Sequence, residues 1–73
     1  MAFNLPDSIT DNARGLAIYV EDFPAPFTEC PDDIEDRLFD VYEEIRSGGA
    51  IVVSSGAAYS LVPASLITRV DIF

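Results

Sequence analysis

The sequence predicts an α+β domain in which a small, largely antiparallel sheet of three to four strands packs against one long acidic helix. Three observations predict it. Pro31 to Ser47, PDDIEDRLFDVYEEIRS, repeats apolar residues at helical spacing. Leu16 to Val20 is a short apolar run with almost nothing polar in it. From Ala50 onward the chain breaks into short β-type runs separated by Gly, Ser and Pro. The implied order is α-β-α-β-β-β. The 73 residues make one domain, 1–73, which buries roughly 60% of its unfolded surface and is stable by about 4–10 kcal/mol.

Leu5 to Gly15, LPDSITDNARG, reads as a short helix. Pro6 suits its first turn, Asp7 its positive dipole end, and Gly15 a C-terminal cap. Ile9 and Ala13 share a face. So short a helix must pack on something to persist. Leu16 to Val20 follows as a central strand, with Leu16, Ile18 and Val20 on one face and Ala17 and Tyr19 on the other. Glu21 to Cys30, EDFPAPFTEC, reads as a connection, because Pro24 and Pro26 force extended backbone and remove two donors. The flanking Phe23 and Phe27 either pin this loop to the core or form an aromatic-proline ledge for a partner.

In the long helix, Ile34, Leu38, Val41 and Ile45 form one narrow stripe with Tyr42 on its edge. Asp33, Asp36, Asp40, Glu43 and Glu44 fall on the opposite side. Pro31 is expected in the first turn, acids lie at the positive end of the dipole, Arg46 lies at the negative end, and Gly48 stops the helix in a left-handed conformation. Ala50 to Ser54 then forms a strand, Ser55-Gly56 a hairpin turn, and Ala58 to Val62 the return strand. After a turn at Pro63-Ala64-Ser65, Leu66 to Phe73 is the last strand. Leu66, Thr68, Val70 and Ile72 are its expected core face, and Arg69 and Asp71 mark the wet one.

The charge is concentrated. Glu21 to Glu44 holds ten acids and one base, Arg37, for a net of −9, while the three acids and three arginines elsewhere cancel. There is no lysine and no histidine. Such a surface disfavours nucleic acid and anionic membranes and favours a basic protein partner. No apolar run approaches the ~20 residues of a membrane span, and MAFNLPDS lacks the basic start and apolar core of a signal peptide. A cytoplasmic location is expected, which the single cysteine, Cys30, fits.

This composition disfavours several chemistries. Paired carboxylates serve glycosidases, but here they fall on an exposed helix face with no sign of a pocket to separate their pKa values. PDDIEDR lacks the glycine of a calcium loop. Cys30 precedes the helix but is crowded by Glu29, Asp32 and Asp33, and has no histidine to activate it. Gly48-Gly49 and Ser54-Ser55-Gly56 lack the lysine and spacing of a phosphate-binding loop. No enzyme, cofactor or metal is expected.

Function is therefore expected from surfaces, and the candidate partner-binding residues are Asp32, Asp33, Asp36, Phe39, Asp40, Glu43 and Glu44. Phe39 lies well off the apolar stripe, so it is either covered by the loop at Phe23 to Phe27 or an aromatic anchor among acids. Three readings follow: a regulator docking its acidic helix on a basic site of a nucleic-acid machine; a DNA mimic occupying the channel of a nuclease or defence complex; and an assembly module pairing through the strand edges of Ala50 to Val53 or Leu66 to Phe73.

In length, acidity, lack of lysine and general run from MAFNLPDS to TRVDIF, the chain resembles the small phage-encoded regulators of bacterial RNA polymerase. A Xanthomonas-phage inhibitor of initiation that is also an antiterminator belongs to that class. The resemblance implies contact with the polymerase large subunits, with inhibition of promoter-dependent initiation and antitermination as the outcome.

Overall fold

The computed structural model of the chain describes residues 6–73, with the side chains of Thr10 and Ser55 set aside. A one-turn helix α1 (Asp7–Thr10) leads into strand β1 (Leu16–Val20) and a short strand β2 (Phe27–Glu29). Helix α2 (Ile34–Ser47) follows, then strands β3 (Ala50–Ser55) and β4 (Ala58–Pro63). A 3₁₀ turn (Ala64–Leu66) precedes strand β5 (Ile67–Ile72). The fold is α+β, with a helix on small antiparallel sheets, and it has one strand more than the sequence suggests.

That extra strand corrects the reading of Glu21 to Cys30 as a plain connection. Pro24 and Pro26 end just before Phe27, and the next three residues pair antiparallel with β1, Leu16 opposite Glu29 and Ile18 opposite Phe27. β1 is thus the middle of a three-stranded sheet in the order β2-β1-β5, and β3 and β4 form a separate two-stranded hairpin. Leu16, Ala17, Ile18 and Val20 are all buried, as a strand with neighbours on both sides requires.

The α2 boundaries follow from its caps. Asp33, extended at φ −121°, accepts the Asp36 N–H on Oδ1 at 3.0 Å, so the helix starts at Ile34 and not at Pro31. Asp32 and Pro31 precede the helix and have no place on its wheel. Gly48 ends it at φ +76°, and the Gly49 N–H also donates to the Glu44 carbonyl oxygen. Ile34, Leu38 and Val41 are buried, but Ile45, the last residue of the stripe, stays 43% exposed.

Two further expectations are corrected. α1 does not reach Gly15: it closes at Asp11, where the Asn12 side chain donates to the Ser8 carbonyl oxygen and competes with helix propagation. Leu5 lies outside the described residues. Gly15 has a different reason to be glycine, since a Cβ there would lie 2.7 Å from the Glu29 main-chain oxygen and 2.6 Å from the Phe73 ring. In β5 the alternation breaks at a bulge: Tyr19 faces Arg69, and Val20 faces Ile67. Thr68 is the extra residue, exposed, with its hydroxyl 3.3 Å from the Tyr19 carbonyl oxygen. Ile67 therefore turns to the core in place of Thr68, and Leu66, in the 3₁₀ turn, is left partly exposed. The hairpin turn sits one residue later than Ser55-Gly56: Ser55 pairs with Ala58, and Gly56 (φ +65°) leads a Gly56-Ala57 loop.

The core has two joined parts. Ile18, Val20, Val41, Ile51, Val53 and Val62 pack together under Phe27, Ile67 and Val70. Leu16, Ile34 and Leu38 form the second part, with Ala13, Val70 and Ile72 against it. Each such side chain contributes about 1.5–3 kcal/mol on burial. Among the described residues, no helix is long and apolar enough to cross a membrane.

Candidate protein-docking surfaces

The single base of the acidic segment, Arg37, pairs with Glu29 on β2 and not with the acids of its own helix. One turn before Val41 on the helix, Arg37 sits on the flank of α2 that faces the strands. Its guanidinium bonds both Glu29 carboxylate oxygens on β2, through Nε to Oε1 and through Nη2 to Oε2 at 3.2 Å. Nη2 also donates to the Val52 carbonyl oxygen on β3 at 2.9 Å. This planar two-sided recognition is what a guanidinium offers and an ammonium does not. Arg37 therefore ties the edge of the three-stranded sheet to the edge of the hairpin. The Val52 carbonyl on the Ala50 to Val53 edge is thereby occupied.

The expected docking residues divide by environment. Asp36, Asp40 and Glu43 recur at four and three residues and share one helix face, away from the buried stripe. Asp32, Asp36 and Asp40 are exposed, and among the described residues none has an ion-pair partner. Glu43 pairs with Arg46 at 3.3 Å, an exposed i,i+3 contact of small worth. Asp33 is spent as the helix cap. Glu44 is half-buried: its carboxylate lies over Gly49, with the Ser47 hydroxyl 3.4 Å away. Beside β3, Arg37, Asp40, Glu43, Glu44 and Val52 line an open acidic groove of about 500 Å³.

Phe39 and Tyr42 are each half-buried and each already make an interaction within the chain. The loop aromatics part company. Phe27 packs on the core, while Phe23 leans on it at 5.2 Å between ring centroids and stays 51% exposed. With Pro24 and Pro26 they border a groove of about 460 Å³ that reaches Ser54 and Gly56 at the hairpin tip. Cys30 is exposed and free.

Two further surfaces stand out: the Arg69 face, whose Arg69 and Asp71 the sequence marks as wet, and one that escaped the sequence reading. On the solvent face of the main sheet, the Arg69 guanidinium lies 4.2 Å above the Tyr19 ring and 3.1 Å from Asp71 Oδ1. Its pKa is raised above the ordinary arginine value, first by the Tyr19 hydrogen bond and then by the Asp71 charge. The second is the outer face of the hairpin, where Val52 opposes Leu61 and Ser54 opposes Tyr59. Leu61 and Tyr59 are 71% and 80% exposed. Ser47 to Thr68 contains no charged residue, a signal the sequence carries openly.

Comparison of the chain with protein-family models, with curated proteins and with solved structures gives no match.

Proposed function

We propose that this chain is a non-enzymatic, phage-type acidic protein that docks on a basic surface of host RNA polymerase in the host cytoplasm, inhibiting initiation and promoting antitermination. The observation that carries the docking reading is the exposed pair Asp36 and Asp40, one turn apart on α2 and without the segment's one base because Arg37 is held by Glu29 and Val52. Unpaired carboxylates one turn apart on a helix attract arginine and lysine clusters, speed encounter and fix orientation. The choice of polymerase comes from the resemblance of the whole chain to small phage regulators.

The test is capture of purified bacterial RNA polymerase on the immobilised protein, washed at rising salt, beside transcription from a promoter and through a terminator. Salt-sensitive capture with fewer promoter starts and more read-through is the expected result. Polymerase passing through at low salt, with transcription unchanged, defeats the reading. Displacement of the captured enzyme by plain duplex DNA would favour channel-occupying DNA mimicry over docking at a separate site.

A further inference from the structure

We propose that two copies of this chain pair through the outer edge of β4, antiparallel about a two-fold axis at Ser60, into one continuous sheet of order β3-β4-β4-β3. This goes beyond the acidic-face reading and uses neither Asp36 nor Asp40.

The backbone supplies the edge. The Ala64 N–H donates to the Gly49 carbonyl oxygen at 2.9 Å, which makes Gly49 and Ala64 a bonded pair. Bonded and non-bonded pairs alternate along an antiparallel ladder, so Ile51–Val62, Val53–Ser60 and Ser55–Ala58 are the bonded pairs of the hairpin. The Val52 carbonyl agrees, since it points out of the hairpin to Arg37. On β4 the N–H and C=O groups of Tyr59 and Leu61 therefore face away from β3. Among the described residues no strand lies beyond β4. Ala58, Tyr59 and Leu61 are exposed, no charge guards them, and the strand's one proline, Pro63, stands at its end.

Register identifies the occupant as a second copy. With Ser60 opposite Ser60, Tyr59 of each copy faces Leu61 of the other, and both pairs are of the doubly bonded kind. Every outward main-chain group of the two residues is then satisfied, and an exposed ring lies against an exposed leucine in each pair. Neighbouring registers fail for reasons in the sequence. Centred on Leu61, the pairing would set Tyr59 against Pro63, which has no N–H to give. Centred on Tyr59, it would set Leu61 against Ala57 in the turn. The small Ser60 suits the crossing point, where the two strands' Cα atoms approach to about 4.5 Å.

Charge supports the same occupant. Ser47 to Thr68 contains no charged residue, so the hairpin edge offers a charged partner nothing to hold. It is also where two chains of net charge −9 meet with least repulsion. Asp40, Glu43 and Glu44 share their groove with Ala50, Ile51 and Val52 of β3 and with no residue of β4. In the paired sheet the two β3 strands stand three strand spacings apart, about 14 Å, beyond the Debye length of about 8 Å at physiological salt. One strand edge with two apolar side chains per copy falls short of the roughly 800 Å² per partner of a standard stable complex. The dimer is therefore reversible and concentration-dependent.

The experiment is sedimentation equilibrium of the full chain from about 10 μM to about 1 mM at low and high salt. The mass should rise toward that of two chains, and the dimer should tighten as salt rises, because screening removes the repulsion between acidic copies. Leu61→Lys, at an exposed position, should raise the dissociation constant about tenfold or more with the fold retained. In a Cys30→Ser background, Ser60→Cys should form a disulfide-linked dimer under mild oxidation, because the axis brings the two side chains together. Ser54→Cys, more exposed but on β3, should not. A monomer at every concentration would overturn the proposal, as would a dimer that Leu61→Lys leaves intact, one that salt dissolves, or cross-linking at Ser54 and not at Ser60. Amide exchange slowed in the dimer at Val70 and Ile72, and not at Tyr59 and Leu61, would overturn it in favour of the β5 edge. Asp36→Lys with Asp40→Lys, which removes the proposed docking acids, should leave the dimer in place, so the two readings fail separately.

Discussion

Arg37 Nη2 lies 2.9 Å from the main-chain oxygen of Val52, and the same guanidinium grips Glu29. The one base among ten acids thus works as a clamp between two sheet edges that share no ladder. Two consequences follow from one side chain. Asp36 and Asp40 keep their charge, and one carbonyl on the outer edge of β3 is taken up.

Loss of the clamp should cost stability more than its charge balance suggests. Arg37→Ala leaves the half-buried Glu29 and the Val52 carbonyl without donors, and a loss of about 1–3 kcal/mol is expected. Arg37→Lys should recover only part, since an ammonium cannot serve both carboxylate oxygens and a carbonyl in one plane. Urea unfolding midpoints of the three proteins check this. Equal midpoints would mean that water replaces the guanidinium at no cost.

Asp33 is a structural acid, distinct from the proposed docking acids Asp36 and Asp40. Asp33→Ala removes the acceptor for the Asp36 N–H and should cost about 1 kcal/mol, while Asp33→Ser, which keeps a capping oxygen, should cost much less. Neither should change capture of a basic partner, whereas Asp36→Lys should weaken it. Thermal melts and binding rates on the same variants distinguish the two roles.

Two glycines should respond differently to alanine. At Gly48 the φ of +76° is the whole problem, because a Cβ meets nothing within 4 Å, and Gly48→Ala should cost about 1 kcal/mol. At Gly15 the Cβ would press on the Glu29 carbonyl oxygen and the Phe73 ring, where β1, β2 and the C-terminus converge. Gly15→Ala should cost more, about 1–3 kcal/mol, since backbone must move. Melting temperatures in the reverse order would contradict this packing.

What was legible in the sequence follows the reach of each signal. The long helix was readable because its stripe repeats over three turns and Gly48 marks its end; only the start was misplaced, since Asp33 and Pro31 both suit a helix entrance. β2 was hidden by its length of three residues and by the prolines before it. It exists because β1 needs a second partner and Phe27 has a core to enter. The bulge that turns Ile67 inward and Thr68 outward has no local mark. As for the candidate site, charge density located the acids. It did not separate Asp33 and Glu44, engaged in the fold, from Asp36 and Asp40, which are exposed. Nor could a helical wheel tell that Arg37 faces the strands, because that depends on where β3 lies.

The proposed docking acids should act mainly on the rate of encounter. Asp36 and Asp40 are exposed, and among the described residues no cation holds them, so their field extends into solvent until salt screens it within about 8–10 Å at ordinary ionic strength. Reversing both to lysine changes the local charge by four units, from −2 to +2, on one helix face. Association with immobilised RNA polymerase should then slow by about tenfold or more at low salt, and the difference should shrink as salt rises, because steering is the screened part of the interaction. Dissociation should change less, since apolar contacts at the centre of an interface hold it together once formed. Rate constants for the original chain and the Asp36→Lys/Asp40→Lys variant across a salt series measure both. A variant that associates equally fast at every salt concentration would show that the acidic row does not face the partner, and would leave the uncharged hairpin and the β5 edge as the surfaces able to make contact.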